Sequence, residues 1–132
     1  MTTAPGRDQP AQQRVRVDAL ARAAALAYAA TGNFTALHLV TATHAMRVIA
    51  PYAEDEARLP AWRWFWQAWA HGVVAARLQP KAPAPLLAWD DIVPRAIASD
   101  DEHVVKLVDS AREEERAWGG DDWRAAASRA VA

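Results

Sequence analysis

The sequence predicts an all-α protein, a single-domain bundle of about five to six helices. Three observations carry this. Apolar residues recur at three- and four-residue spacing through most of the chain, no segment alternates with period two, and glycine and proline fall mostly between the periodic segments. The length of 132 residues suits one domain, and 52% apolar against 23% charged residues is a globular composition that supplies a core.

Residues 1–13, rich in Pro, Gln and Thr, read as a disordered tail, so the helical domain is placed over 14–132. A first helix is expected from about Arg14 to Thr31. Val17, Leu20, Ala24 and Tyr28 form its apolar stripe, and Arg14, Asp18 and Arg22 lie on another at four-residue spacing. Gly32 stops it, and Asn33 caps a second helix over about 34–50 that Pro51 ends. Glu54-Asp55-Glu56 reads as an acidic connector, after which Pro60 fits the first turn of a third helix through Leu78. Residues 79–85 alternate proline with other residues and form a non-helical linker. A short helix over 91–98 requires Pro94 in its first turn. Ser99 or Asp100 then caps a helix to Trp118, with Glu102 placed for a capping box from Ser99. Gly119-Gly120 ends that helix, and Asp121 or Asp122 opens a last short one.

Charge excludes some functions. With 15 basic and 16 acidic residues and no basic stripe, nucleic acid is not the expected partner. Glu113-Glu114-Glu115 lies between Arg112 and Arg116 and reads as a solvated helix face. With no cysteine there is no disulfide, zinc–thiolate site or thiol nucleophile. No signal-peptide pattern and no membrane-length apolar run is visible, so a cytoplasmic location is expected. Phosphate-loop, G-x-S-x-G and H-E-x-x-H motifs are missing as well.

Histidine and tryptophan are the informative residues. His38 and His44 share the second helix about 120° apart around its axis, so they do not face one ion. His103 and Lys106, three residues apart, share one side of a later helix. From pattern alone each histidine reads first as a packed or hydrogen-bonded imidazole, and Lys106 as a solvated lysine. His71 reads the same way. Trp62, Trp66 and Trp69 follow helix spacing and read as core, yet four Trp and one Phe within residues 62–69 exceed what one stripe buries. That helix is either enclosed on several sides, or lines an aromatic pocket or a partner surface.

Several segments together resemble the questin-oxidase family. They are residues 28–35 (YAATGNFT), Leu37-His38-Leu39-Val40-Thr41 with Thr43-His44-Ala45-Met46-Arg47, Phe65-Trp66-Gln67-Ala68, and residues 99–107 (SDDEHVVKL). The resemblance covers about residues 14–130 and is to the C-terminal part of the family. It implies oxidative ring opening of anthraquinones and related aromatic polyketides by a non-haem iron centre of histidines and a carboxylated lysine. The matching positions are His38, His103 and Lys106, with His44 secondary because of its angle. NADPH as reductant is left open. Further ligands of the family belong to an N-terminal portion, so the resemblance implies a homo-oligomer or a second subunit to complete the site. The other reading is a non-catalytic helical scaffold or interaction subunit, supported by the tryptophan excess.

Overall fold

The computed structural model describes residues 9–132, with side chains from Val17 onward. The expected tail lies, for residues 1–8, outside the described residues. Among the described residues six α-helices follow one another: α1 (Gln9–Thr31), α2 (Phe34–Ile49), α3 (Asp55–Ala76), α4 (Trp89–Ala98), α5 (Glu102–Trp118) and α6 (Asp122–Ala130). A 3₁₀ turn over Ala50–Tyr52 joins α2 to α3, and there is no strand among the described residues. No described helix is long and apolar enough to cross a membrane.

The core is shared by α1, α2, α4, α5 and α6. Tyr28, Leu37, Val40, Ile92, Leu107 and Trp123 are buried together, with small alanines such as Ala24, Ala25, Ala111, Ala126 and Ala127 between them. Those alanines let helix axes approach closely, so large side chains on one helix fill space left by small ones on the next. Arg22 fastens α1 to the start of α6. Its Nε pairs with Asp18 at 2.9 Å, Nη1 reaches Asp122 at 3.2 Å, and Nη2 donates to the Trp118 carbonyl at 3.1 Å.

Several helix starts differ from the sequence expectation. α1 begins at Gln9 rather than about Arg14. α3 begins at Asp55, so Glu54-Asp55-Glu56 is its N-terminal turn and not a connector. Acidic side chains there meet the positive end of the helix dipole, and Asp55 pairs with Arg58 at 3.0 Å. Pro60 consequently lies inside α3, and Pro94 inside α4, which begins two residues early at Trp89. The cap of α5 is Asp101, whose Oδ1 accepts the His103 backbone N–H at 2.9 Å. Ser99 accepts from the Asp101 N–H at 3.1 Å instead of forming a capping box with Glu102.

α3 is the outlier of the bundle. It leans on α2 and the 3₁₀ turn, and none of its residues is buried. The approach to α2 is close at Gly72, where a Cβ would stand 3.2 Å from Leu39 Cδ2.

Candidate functional site

Two polar centres lie on opposite flanks of α2, and each joins α2 to α5. The first contains His38 and His103. Asn33 caps α2 through a 3.1 Å bond from the Ala36 N–H, which fixes the register that presents Phe34 and His38 one turn apart. Phe34 then stands edge-on to both imidazoles, with ring centres 4.5 Å from His38 and 4.9 Å from His103. The two imidazole centres are 5.6 Å apart.

Hydrogen bonding assigns the tautomers. His38 Nδ1 lies 2.8 Å from the Phe34 carbonyl, which only accepts, so Nδ1 carries the proton and donates. His103 Nδ1 lies 3.0 Å from Asp101 Oδ1, and the same reasoning makes it the donor. In its neutral form each ring therefore keeps its lone pair on Nε2. This is the arrangement in which a carbonyl or carboxylate orients an imidazole for metal binding. Asp101 serves twice, since its oxygen also caps α5. The His103 backbone N–H, and then its ring N–H, hold the Asp101 carboxyl below its ordinary value.

Lys106 stands apart from this pair. It lies one turn along α5, is 60% exposed, and its Nζ sits 3.4 Å from Glu102 Oε2, a solvated i,i+4 ion pair. His71 is exposed on α3.

His38 also borders an apolar groove of ≈ 210 Å³ between α2 and α3. Thr35, Leu39 and Ala42 form the α2 wall, and Phe65, Ala68 and Trp69 the α3 wall. Of the tryptophans singled out by spacing, only Trp69 lines this groove. Trp62 is half-buried edge-on to Phe65 at 5.7 Å, and Trp66 is 57% exposed.

The second centre corrects the sequence reading. Glu114, expected on a solvated face, is 1% exposed. His44 Nδ1 and Arg47 Nε both donate to its Oε1 at 2.7 Å, and Trp118 Nε1 donates to Oε2 at 2.7 Å. Burial pushes this carboxyl up, and the bonds from His44, Arg47 and Trp118 outweigh burial and hold it below its ordinary range. His44 is thus committed to a buried carboxylate on the other flank of α2 from His38. Glu115 is also engaged, accepting from Trp89 Nε1 at 3.0 Å. Only Glu113, paired with Arg116, matches a solvated face. The missed signal was the i,i+4 pair Glu114–Trp118, which places the carboxylate on the apolar side of α5.

Among the described residues, no group of three or more His, Cys, Asp or Glu side chains is arranged to hold a metal ion. The site is a pair of oriented imidazoles beside an aromatic groove, on a helical scaffold. The chain belongs to the questin oxidase-like family, an oxidoreductase-type family whose model matches residues 4–111. That span contains both imidazoles, Lys106 and the whole of α3, while Glu114 lies just beyond it. Comparison with curated proteins gives no match, and comparison with solved structures gives none either.

Proposed function

We propose that this chain is part of a questin-oxidase-like oxygenase acting on a polycyclic aromatic of the anthraquinone type. The observation that carries the reading is the double position of His38, 5.6 Å from His103 and on the wall of the apolar groove. A metal held by His38 would adjoin a ligand in that groove.

The residues fit non-haem iron in part. Two imidazoles on one ion, at metal–nitrogen bonds of about 2.1 Å, have ring centres roughly 4.5 to 5.6 Å apart. The observed separation is at the upper end of that range. Both Nε2 atoms are free, and imidazole is a donor that suits iron. Lys106 is on the same side of α5 as His103, and carboxylation would turn its cation into an oxygen donor. Its present partner, Glu102, would have to be exchanged for the metal. Iron bound there would supply dioxygen chemistry. This chain's own residues would do the rest. Asp101 and the Phe34 carbonyl orient the imidazoles, and Phe65 and Trp69 stack against an aromatic ring and keep water from one face of it.

The groove is small for such a substrate. A drug-sized ligand takes roughly 300 Å³ or more, so ≈ 210 Å³ holds only part of a polycyclic molecule. That shortfall, together with a donor set of two imidazoles and one lysine, favours completion by a second chain.

Anaerobic Fe(II) addition followed by native mass spectrometry tests the assignment. One iron per chain or per dimer is expected, and His103→Ala should remove it while leaving the helical circular dichroism unchanged. An H103A variant with full iron content would sink the reading. Asp101→Asn, which weakens the acceptor for His103 Nδ1–H, should lower iron affinity by about 10- to 100-fold. Unchanged affinity would show that Asp101 only caps α5.

A second reading has its own observation. The unburied aromatic face of α3 suits a non-catalytic scaffold or interaction subunit. A chain that stays metal-free in every assembly state would favour it.

A further inference from the structure

α3, together with Arg77 that caps its C-terminus, carries a stripe whose spacing is the same read from either end. Asp55, Leu59, Trp62, Trp66, Ala70, Val73 and Arg77 follow at intervals of 4, 3, 4, 4, 3 and 4 residues. At about 100° per residue, Leu59, Trp62, Ala70 and Val73 all fall within about 40° of Trp66. Leu59 is 42% exposed and Trp66 57% exposed, while Trp62, Ala70 and Val73 are half-buried, Val73 with part of its surface against the chain's own core. The charges are asymmetric: Glu54, Asp55 and Glu56 stand at one end and Arg77 at the other.

We infer that this stripe is the seam of a homodimer, in which two α3 helices pack antiparallel about a twofold axis at Trp66. Self-complementarity is what such an axis demands, since each residue must suit the partner residue that it meets. Reversal about residue 66 sets Leu59 against the partner's Val73 and Trp62 against the partner's Ala70, a large side chain over a small one. The two Trp66 rings meet on the axis. Asp55, which pairs with Arg58 of its own chain and is 92% exposed, comes opposite the partner's Arg77, twice, and the antiparallel helix dipoles add to that attraction. A parallel pair would instead bring acid to acid and base to base. A hetero-partner would need none of this reversal symmetry. The seam has the three- and four-residue spacing of helix-on-helix packing, with one 4-4 step centred on Trp66, and aromatic anchors of this kind dominate interface energetics.

Trp64 provides the control. It is 72% exposed, yet lies about 160° around the helix from Trp66, off the seam.

Sedimentation of the full chain over a micromolar concentration series tests the proposal, with circular dichroism as the folding check. A dimer is expected. Trp66→Lys should weaken self-association by about thirtyfold or more, and Trp64→Lys by less than about twofold. Both positions are exposed, so both variants should fold. Asp55→Lys and Arg77→Asp should each weaken the dimer, and the two together should restore it to within about threefold of the original. A chain that is monomeric throughout, a dimer indifferent to Trp66→Lys, or a charge exchange without restoration overturns the proposal. None of these outcomes depends on iron, so the test stands apart from the oxygenase reading.

Discussion

Glu114→Ala is expected to destabilise the chain by about 3 kcal/mol, because it leaves the Arg47 charge and two further donors without an acceptor. Glu114 is 1% exposed and accepts from His44, Arg47 and Trp118, each at 2.7 Å. Removing one member of a buried charge pair costs about 3–5 kcal/mol, and the lower end applies because the Arg47 side chain keeps 27% of its exposure. Glu114→Gln should recover only part of the loss. An amide has one acceptor oxygen, so its NH2 must face either the His44–Arg47 side or Trp118, donor against donor. Urea melts of the three proteins measure this, and a loss below about 1 kcal/mol for Glu114→Ala would mean the cluster is solvated in solution.

The same carboxylate imposes a pH dependence. It titrates lower in the folded chain than its ordinary value of 4.5. Its contribution is therefore complete above that value and is lost as pH falls through it toward the depressed folded value. The melting temperature should drop across that window in the parent chain and drop less in Glu114→Gln. Parallel curves for the two would contradict the depressed titration.

Trp123→Ala should cost about 3–5 kcal/mol, the range for truncating a buried aromatic. Trp123 is the largest fully buried side chain, at 0% exposure, and the Arg22 guanidinium lies 4.6 Å above its ring. Against a total stability of about 5–15 kcal/mol for a domain, such a loss brings the chain near its unfolding threshold. Trp123→Phe should cost less than half as much, since it keeps a ring under Arg22 and discards an indole N–H that has no partner within the protein. Trp64→Ala, at a site 72% exposed, should stay within about 0.5 kcal/mol. Chemical denaturation midpoints decide the order. Equal losses at Trp64 and Trp123 would overturn the assignment of the core to α1, α2, α4, α5 and α6.

Seven tryptophans look alike in a sequence, and their spacing sorted them poorly. Trp62, Trp66 and Trp69 shared a reading as core, while the most buried, Trp123, stood in a short terminal helix with little pattern around it. The reason is that α6 is mostly alanine and charge, so its apolar face is legible only from what α1 and α5 place against it. The helix caps were partly legible. Asn33 and Gly32 act as read, whereas the start of α5 moved to Asp101 because that carboxylate reaches both the backbone and the ring of His103.

What the sequence determined by itself is local: helical periodicity, the breaks at Gly32, Pro51, 79–85 and Gly119-Gly120, and the separation of His38 from His44 around one helix. These depend on interactions within a few residues, which backbone geometry and side-chain spacing specify directly. Tertiary structure alone decided which flank of α2 met which residue of α5. It set His38 beside His103, sent His44 to Glu114, and turned a run of three glutamates into one buried acceptor, one indole partner and one surface ion pair. A charge count carries no information about burial, because desolvation depends on what packs across the interface rather than on neighbours along the chain.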